Sequence, residues 1–231
     1  MKKTLGILGG MGPLATCDLM RKVIDHTDAK CDQEHVHIVV DCNTNIPDRT
    51  GAILSGGADP VPEMIKSAVG LEKMGADVII VPCNTAHYFV DKVAASVNIP
   101  ILSMPEETAK FLRKQGIGKA AILATDGTVK TGIYEKGMRD NGVDFVYPNE
   151  QEQKLVMSLI YDCVKAGKPC TQTEQVLAMC RRLMGEGAET FVLACTELPI
   201  AFAEMALSVQ TADPTDILAC AAVLWVGCKV K

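Results

Sequence analysis

Aromatic side chains are scarce in this sequence, at 4% of 231 residues with a single Trp, and Ala, Val, Ile and Leu carry most of the apolar content instead. No run approaches the ~20 consecutive apolar residues of a membrane-spanning helix. The opening MKKTLGILGG is interrupted by glycines and lacks the apolar stretch and cleavage site of a signal peptide. A cytoplasmic protein with no membrane partner is expected. Basic clusters are also missing, and with a net charge of −5 nucleic acid is excluded as a partner. There are ten cysteines but no C-x-x-C pair, so the close spacing of a zinc site is absent. His35 and His37 alternate on one strand with no matching ligand, and no metal is expected. In a reducing compartment most of these thiols read as small buried hydrophobes.

What is present is an alternation of short β-branched runs with helical patterns. TLGILGG, HVHIVVDCN, DVIIVPCN, IPILSM, KAAILAT, VDFVYP, TFVLACT and SVQTAD read as strands stopped by Gly, Asn or Pro. The helical patterns between them include residues 61–74, 86–96, 150–166 and 173–185. Alternation with short links predicts an α/β fold with mostly parallel sheet and right-handed crossovers.

The pattern repeats. GADVIIVPCNT from Gly75 aligns with GAETFVLACTE from Gly187, ILGGMGPLAT from Ile7 aligns with ILATDGTVKT from Ile122, and Pro105 aligns with Pro214. Common order and spacing predict a duplicated unit. The expected division is a first lobe of residues 1–102 with 211–231 returning to it, and a second lobe of 103–210. Ligands of parallel sheets sit beyond the carboxyl ends of the strands, so a pseudo-twofold between the lobes would bring Cys83 and Cys195 to opposite walls of one cleft.

Each of these cysteines follows a buried strand and precedes polar residues, Asn84-Thr85 in one case and Thr196-Glu197 in the other. A lone cysteine there is ordinarily packing. Recurrence at one repeat position favours chemistry, and a helix start just beyond would stabilise a thiolate and lower its pKa. Facing thiols suit a disulfide, which the compartment disfavours, or a pair of acid/base groups on opposite faces of a substrate carbon. In the second case one takes a proton as thiolate while the other returns one as thiol.

PCNTAH and ACTEL, behind an N-terminal GILGGMGP, resemble the aspartate/glutamate racemase family over essentially the whole chain. The CTEL form is more similar to the aspartate racemase branch than to the glutamate racemase branch, where a His follows the C-T pair. The resemblance implies two similar α/β lobes, a site between them, paired catalytic cysteines at Cys83 and Cys195, no cofactor, an acidic amino-acid substrate and a homodimer. It puts Asn84, Thr85 and Thr196 at the amino-acid head group and Glu197 where a neighbour assists the second cysteine. It also implies that Arg49 and Lys165 bind the substrate carboxylates.

Taken alone, Arg49 lies in a Pro- and Gly-rich loop after the second strand, where its planar fork suits a carboxylate, though a solvated loop arginine fits equally. Lys165 alone reads as a surface lysine near a helix C-terminus. Gly10-Met11-Gly12 fits G-x-G-x-x-A after a strand, so a nucleotide-binding module is a rival, but the acidic residue expected about 20 positions on is misplaced. The alternative is a substrate-facing turn whose Met11 and Gly12 backbone binds a carboxylate. Thr125 and Thr128 mirror that turn in the second lobe, as substrate ligands or as helix caps. His87 reads as a helix-surface or lobe-contact residue rather than a base. Other readings are a related isomerase of maleate or hydantoin type and a catalytically silent dimerisation protein.

Overall fold

The computed structural model describes residues 2–231 and divides the chain into two compact units, one running up to Glu107 and resuming at Thr215–Lys231, the other Thr108–Pro214. The boundaries fall later than the sequence suggests. The strand at Thr211–Ala212 pairs in parallel with the one at Thr190–Ala194, which holds it in the second unit.

The first unit contains β1 (Thr4–Gly9), α1 (Pro13–His26), β2 (His37–Cys42), α2 (Arg49–Leu54), α3 (Val61–Lys73), β3 (Val78–Ile80) and α4 (Val90–Ala94). α5 (Met104–Lys114) leaves it for the second unit, which contains β4 (Lys119–Ala124), α6 (Asp126–Thr131), α7 (Glu135–Asp140), β5 (Asp144–Val146), α8 (Glu150–Ser158), α9 (Thr173–Gly185), β6 (Thr190–Ala194), α10 (Leu198–Glu204) and β7 (Thr211–Ala212). α11 (Pro214–Trp225) then returns to the first unit.

Both sheets are parallel. The first has the order β2-β1-β3, extended by a single parallel bridge from Ile79 to Ile101, and the second has the order β5-β4-β6-β7. Each unit therefore repeats one connectivity, with IPILSM reduced to that bridge and SVQTAD to two residues. α3 and α9 are both 13 residues long, and each is followed by a glycine in the left-handed region, Gly75 at φ 91° and Gly187 at φ 93°.

The strands bury both faces, as parallel strands covered by helices must. In β3, Val78 and Ile80 join Leu5, Ile7, Leu19, Leu218 and Val223 in one core, while Ile79 packs on the other side with Leu8, Met64, Leu71 and Val93. Successive side chains alternate across a strand, so the same three-residue strand feeds both cores. In the second unit, Leu123, Phe191 and Leu193 pack against Val156, Met179 and Leu183 of the covering helices. No helix among the described residues is long and apolar enough to cross a membrane.

Strand ends are fixed by local chemistry. Pro82, lacking an N–H, lies two residues beyond β3 and keeps its ladder from resuming. Pro13 sits in the first turn of α1, where its missing N–H costs nothing. Residues 86–96 do not form one helix: a short 3-10 turn, Thr85–Tyr88, precedes α4. Residues 150–166 are likewise split, since α8 gives way to a π-helical stretch, Leu159–Val164, with Lys165 N–H reaching back to the Ile160 carbonyl at 3.0 Å.

Candidate active site

In the first unit the candidate residues follow β1, β2 and β3. The β1 turn is built on close packing: a Cβ on Gly10 would come within 2.3 Å of the Asn43 backbone, and one on Gly9 would meet Thr16 at the same distance. These glycines are needed for packing whether or not a ligand is bound. Met11 is buried, and its carbonyl accepts from Arg49 Nη2 at 3.1 Å. The Gly12 carbonyl accepts from Thr16 Oγ1 at 3.0 Å.

Arg49 is not in an open loop. Asp48 caps α2 by accepting from the Gly51 N–H, and Arg49 is the first helical residue. Its Nη1 donates to the Ile46 and Pro47 carbonyls at 3.3 and 2.9 Å, while its buried Nε has no hydrogen-bond partner. The fork thus ties the loop after β2 to the turn after β1.

Cys83 lies three residues beyond β3 with 8% of its surface exposed, packed with Met11, Ile46 and Ala86 in one apolar cluster. Its N–H closes a tight turn on the Val81 carbonyl at 2.8 Å. Its own carbonyl is 2.9 Å from His87 Nδ1, and His87 Nε2 accepts the Met104 N–H at 3.0 Å. His87 therefore turns inward rather than outward, and burial pushes its pKa down. Asn84 and Thr85 follow Cys83 and are buried.

In the second unit, Cys195 immediately follows β6 and Glu197 precedes α10. The Cys195 thiol donates to Glu197 Oε2 at 2.9 Å, Thr196 Oγ1 donates to the same oxygen at 3.1 Å, and Lys165 Nζ lies 3.3 Å from Glu197 Oε1. Burial first, then the Glu197 carboxylate, push the Cys195 thiol well up, with Lys165 opposing. This corrects the expectation of a lowered pKa there. The neighbouring charge is an anion, and the thiol is buried. Burial acts to lower the pKa of Lys165, but Glu197, Cys195 and Tyr161 together outweigh it and the ammonium is raised.

The π-helical stretch places Lys165, because its wider turn changes the side-chain phase relative to a continuous α8; such stretches are frequent at functional sites. Thr125 caps α6, accepting from the Thr128 N–H at 3.3 Å and donating to Thr128 Oγ1 at 3.2 Å, so the capping reading is realised at Thr125, while Thr128 lies within the helix it caps. Sequence reasoning missed Tyr134. It is fully buried, its phenol is pushed up by burial, and it bonds Thr108 within the field of Cys195. Nothing in the sequence around Tyr134 signals this, since the residues that surround it come from distant segments.

One possible set of metal ligands occurs among the described residues. His26, Asp216 and Cys220 place their ligand atoms within 4.8 Å of one another. His26 Nε2 and Asp216 Oδ1 already pair at 2.7 Å.

A sequence model of the Asp/Glu/Hydantoin racemase family matches residues 8–222. The chain is 29% identical over 199 residues to the broad specificity amino-acid racemase RacX of Bacillus subtilis (strain 168), spanning 84% of this chain and 85% of that protein. Among solved structures, Picrophilus torridus aspartate racemase superposes with a TM-score of 0.81 at 32% identity, covering 99% of this chain and 96% of that one. An aspartate racemase homologue from Pyrococcus horikoshii OT3 gives 0.79 at 26% identity, covering 97% and 99%. Glutamate racemase from Campylobacter jejuni shares the fold at 14% identity and a TM-score of 0.67, covering 99% and 88%.

Proposed function

The chain belongs to the Asp/Glu/hydantoin racemase family, an enzyme family of isomerases, and on that premise we propose that it interconverts the L- and D-forms of an acidic amino acid, aspartate or glutamate, without a cofactor. Cys83 and Cys195 are the two bases. The observation that carries the reading is the recurrence of a thiol at one place in both units, just beyond β3 and β6, after helices of equal length and left-handed glycines.

The chemistry follows from the surroundings. Racemisation requires a proton to leave Cα on one face and another to arrive on the opposite face. Cys195, held neutral by burial and by Glu197, is poised to donate. Cys83 removes the Cα proton as thiolate in that direction. For the other enantiomer the roles exchange, and Glu197 takes up the Cys195 proton along their 2.9 Å contact. Lys165 Nζ, 3.3 Å from Glu197 Oε1, holds the carboxylate in place for that task.

Proton loss drives charge onto the α-carboxylate, and catalysis requires donors placed where that charge develops. Met11, Gly12, Asn84, Thr85, Thr125, Thr128 and Thr196 supply polar groups at the strand ends. Arg49 exchanges the Met11 carbonyl for a substrate carboxylate, and Lys165 meets the other. Support for an acidic substrate comes from the aspartate racemase relatives. Support for a wider range comes from the broad-specificity one.

The test is deuterium incorporation at Cα in D2O with both enantiomers of aspartate and glutamate, read by mass spectrometry and chiral chromatography, with 5-substituted hydantoins as a comparison. Exchange with inversion is expected for an acidic amino acid. Cys83→Ala and Cys195→Ala should each lower turnover by about 10²–10⁴-fold, the scale of a positioned acid or base. No exchange with any acidic amino acid would sink the reading, and unchanged turnover in either variant would remove that cysteine from it.

A further inference from the structure

The two cysteines share a place in the repeat but are held by different means. Cys195 is held through its thiol, by Glu197. Cys83 is held through its main chain. Its N–H is fixed by the Val81 carbonyl at 2.8 Å and its carbonyl by His87 Nδ1 at 2.9 Å. The position matching His87 in the second unit is Pro199, whose side chain neither donates nor accepts, and there the Cys195 carbonyl takes the Leu198 N–H at 3.0 Å.

The partners of His87 determine its tautomer. The Met104 N–H can only donate, so Nε2 must carry a lone pair, and the ring proton is on Nδ1, where it donates to the Cys83 carbonyl. Met104 opens α5, and its N–H is one of the first-turn donors that a helix leaves without an internal acceptor. One neutral ring thus joins the Cys83 carbonyl to the start of α5. Protonation would set a second N–H against that of Met104, and burial disfavours it.

We propose that His87, as the neutral Nδ1–H tautomer, is a positioning residue for Cys83: it fixes the peptide plane beyond Cys83 and so aims the thiol. With both flanking peptides held, the side-chain rotamer is the one freedom left to the sulfur. The inference rests on the racemase reading for its kinetic test, but the geometry it concerns has an independent readout.

Three variants separate the two hydrogen bonds. His87→Phe keeps a ring and deletes both. His87→Asn places an amide where Nδ1 lies and keeps the bond to Cys83, whereas His87→Gln places one where Nε2 lies and keeps the bond to Met104. In His87→Phe, kcat should fall about 10- to 100-fold with KM changed less than about 3-fold, the scale of an ångström-level misplacement of a reacting group. Enantiomers have equal free energy in water, so kcat/KM must fall equally in both directions, which checks the data internally. His87→Asn should recover most of kcat, and His87→Gln should recover thermal stability but not kcat.

If kcat follows the thermal midpoint across the three variants, or His87→Phe turns over like the wild type, the proposal is overturned. Should the wild type racemise nothing, the functional reading fails and iodoacetamide alkylation of Cys83, followed peptide by peptide, decides the inference. An altered rate in His87→Phe with a wild-type rate in His87→Asn supports it, and equal rates in all variants reject it.

Discussion

Replacing Gly10 by Ala should destabilise the protein much more than replacing Gly75 by Ala, although both glycines have a φ of 91° in the same unit. At Gly75 an added Cβ meets nothing within 4 Å, so the cost is left-handed backbone strain alone, roughly 1–2 kcal/mol. At Gly10 the same strain applies, and the Cβ also falls 2.3 Å from both the carbonyl carbon and the oxygen of Asn43. Asn43 cannot withdraw cheaply: its Nδ2 donates to Glu63 and Ser67 at 3.0 and 3.1 Å, and its Oδ1 accepts from the Asn45 N–H at 3.0 Å. Overpacking of this kind adds about 1–3 kcal/mol. For a chain of this size each kcal/mol moves Tm by about 2–4 °C. Gly10→Ala should therefore melt about 2–12 °C below Gly75→Ala when both are followed by far-UV circular dichroism. Equal midpoints would refute the packing argument and leave a direct ligand role as the reason for glycine at position 10.

Two further outcomes follow from the second unit. Glu197→Gln removes the anion that raises the Cys195 thiol and Lys165→Met removes the cation that opposes it, so at pH 8 alkylation of Cys195 should become several-fold faster in the first variant and slower in the second; changes of the same sign would show that burial alone governs the thiol. The buried Cys180 thiol is pushed up to about 11 by burial and by Glu152. Its folded pKa lies above the ordinary thiol value, so the stabilisation it gives is complete below about pH 8.5 and is lost as pH rises through about 11. Under reducing conditions urea midpoints should fall across that window, less steeply in Cys180→Ala despite its lower baseline, and coincident slopes would contradict the assignment.

Much of the architecture is legible in the sequence because it depends on short-range patterns. Both cores of the first unit can be read from alternation in runs such as VII at β3, and the duplication from GADVIIVPCNT against GAETFVLACTE. The elements that escape sequence reading are those decided by packing. IPILSM has the composition of a strand but forms only the Ile79–Ile101 bridge. RTGAIL carries a Gly inside a helix that the Asp48 cap and the Arg49 bonds hold in place. The change from α to π at Leu159 is not signalled by composition either.

The sequence by itself determined the parallel α/β class, the repeat, and the placement of Cys83 and Cys195 after strands, because apolar periodicity and strand-stopping residues act within a few positions. Tertiary structure decided what each of those residues meets. It set the Lys165 ammonium against the Glu197 carboxylate beside Cys195, the Met11 carbonyl on the Arg49 guanidinium, and the start of α5 against the imidazole that holds Cys83. The charge, tautomer and burial of a side chain depend on groups brought from far along the chain, and a one-dimensional pattern carries no record of that distance.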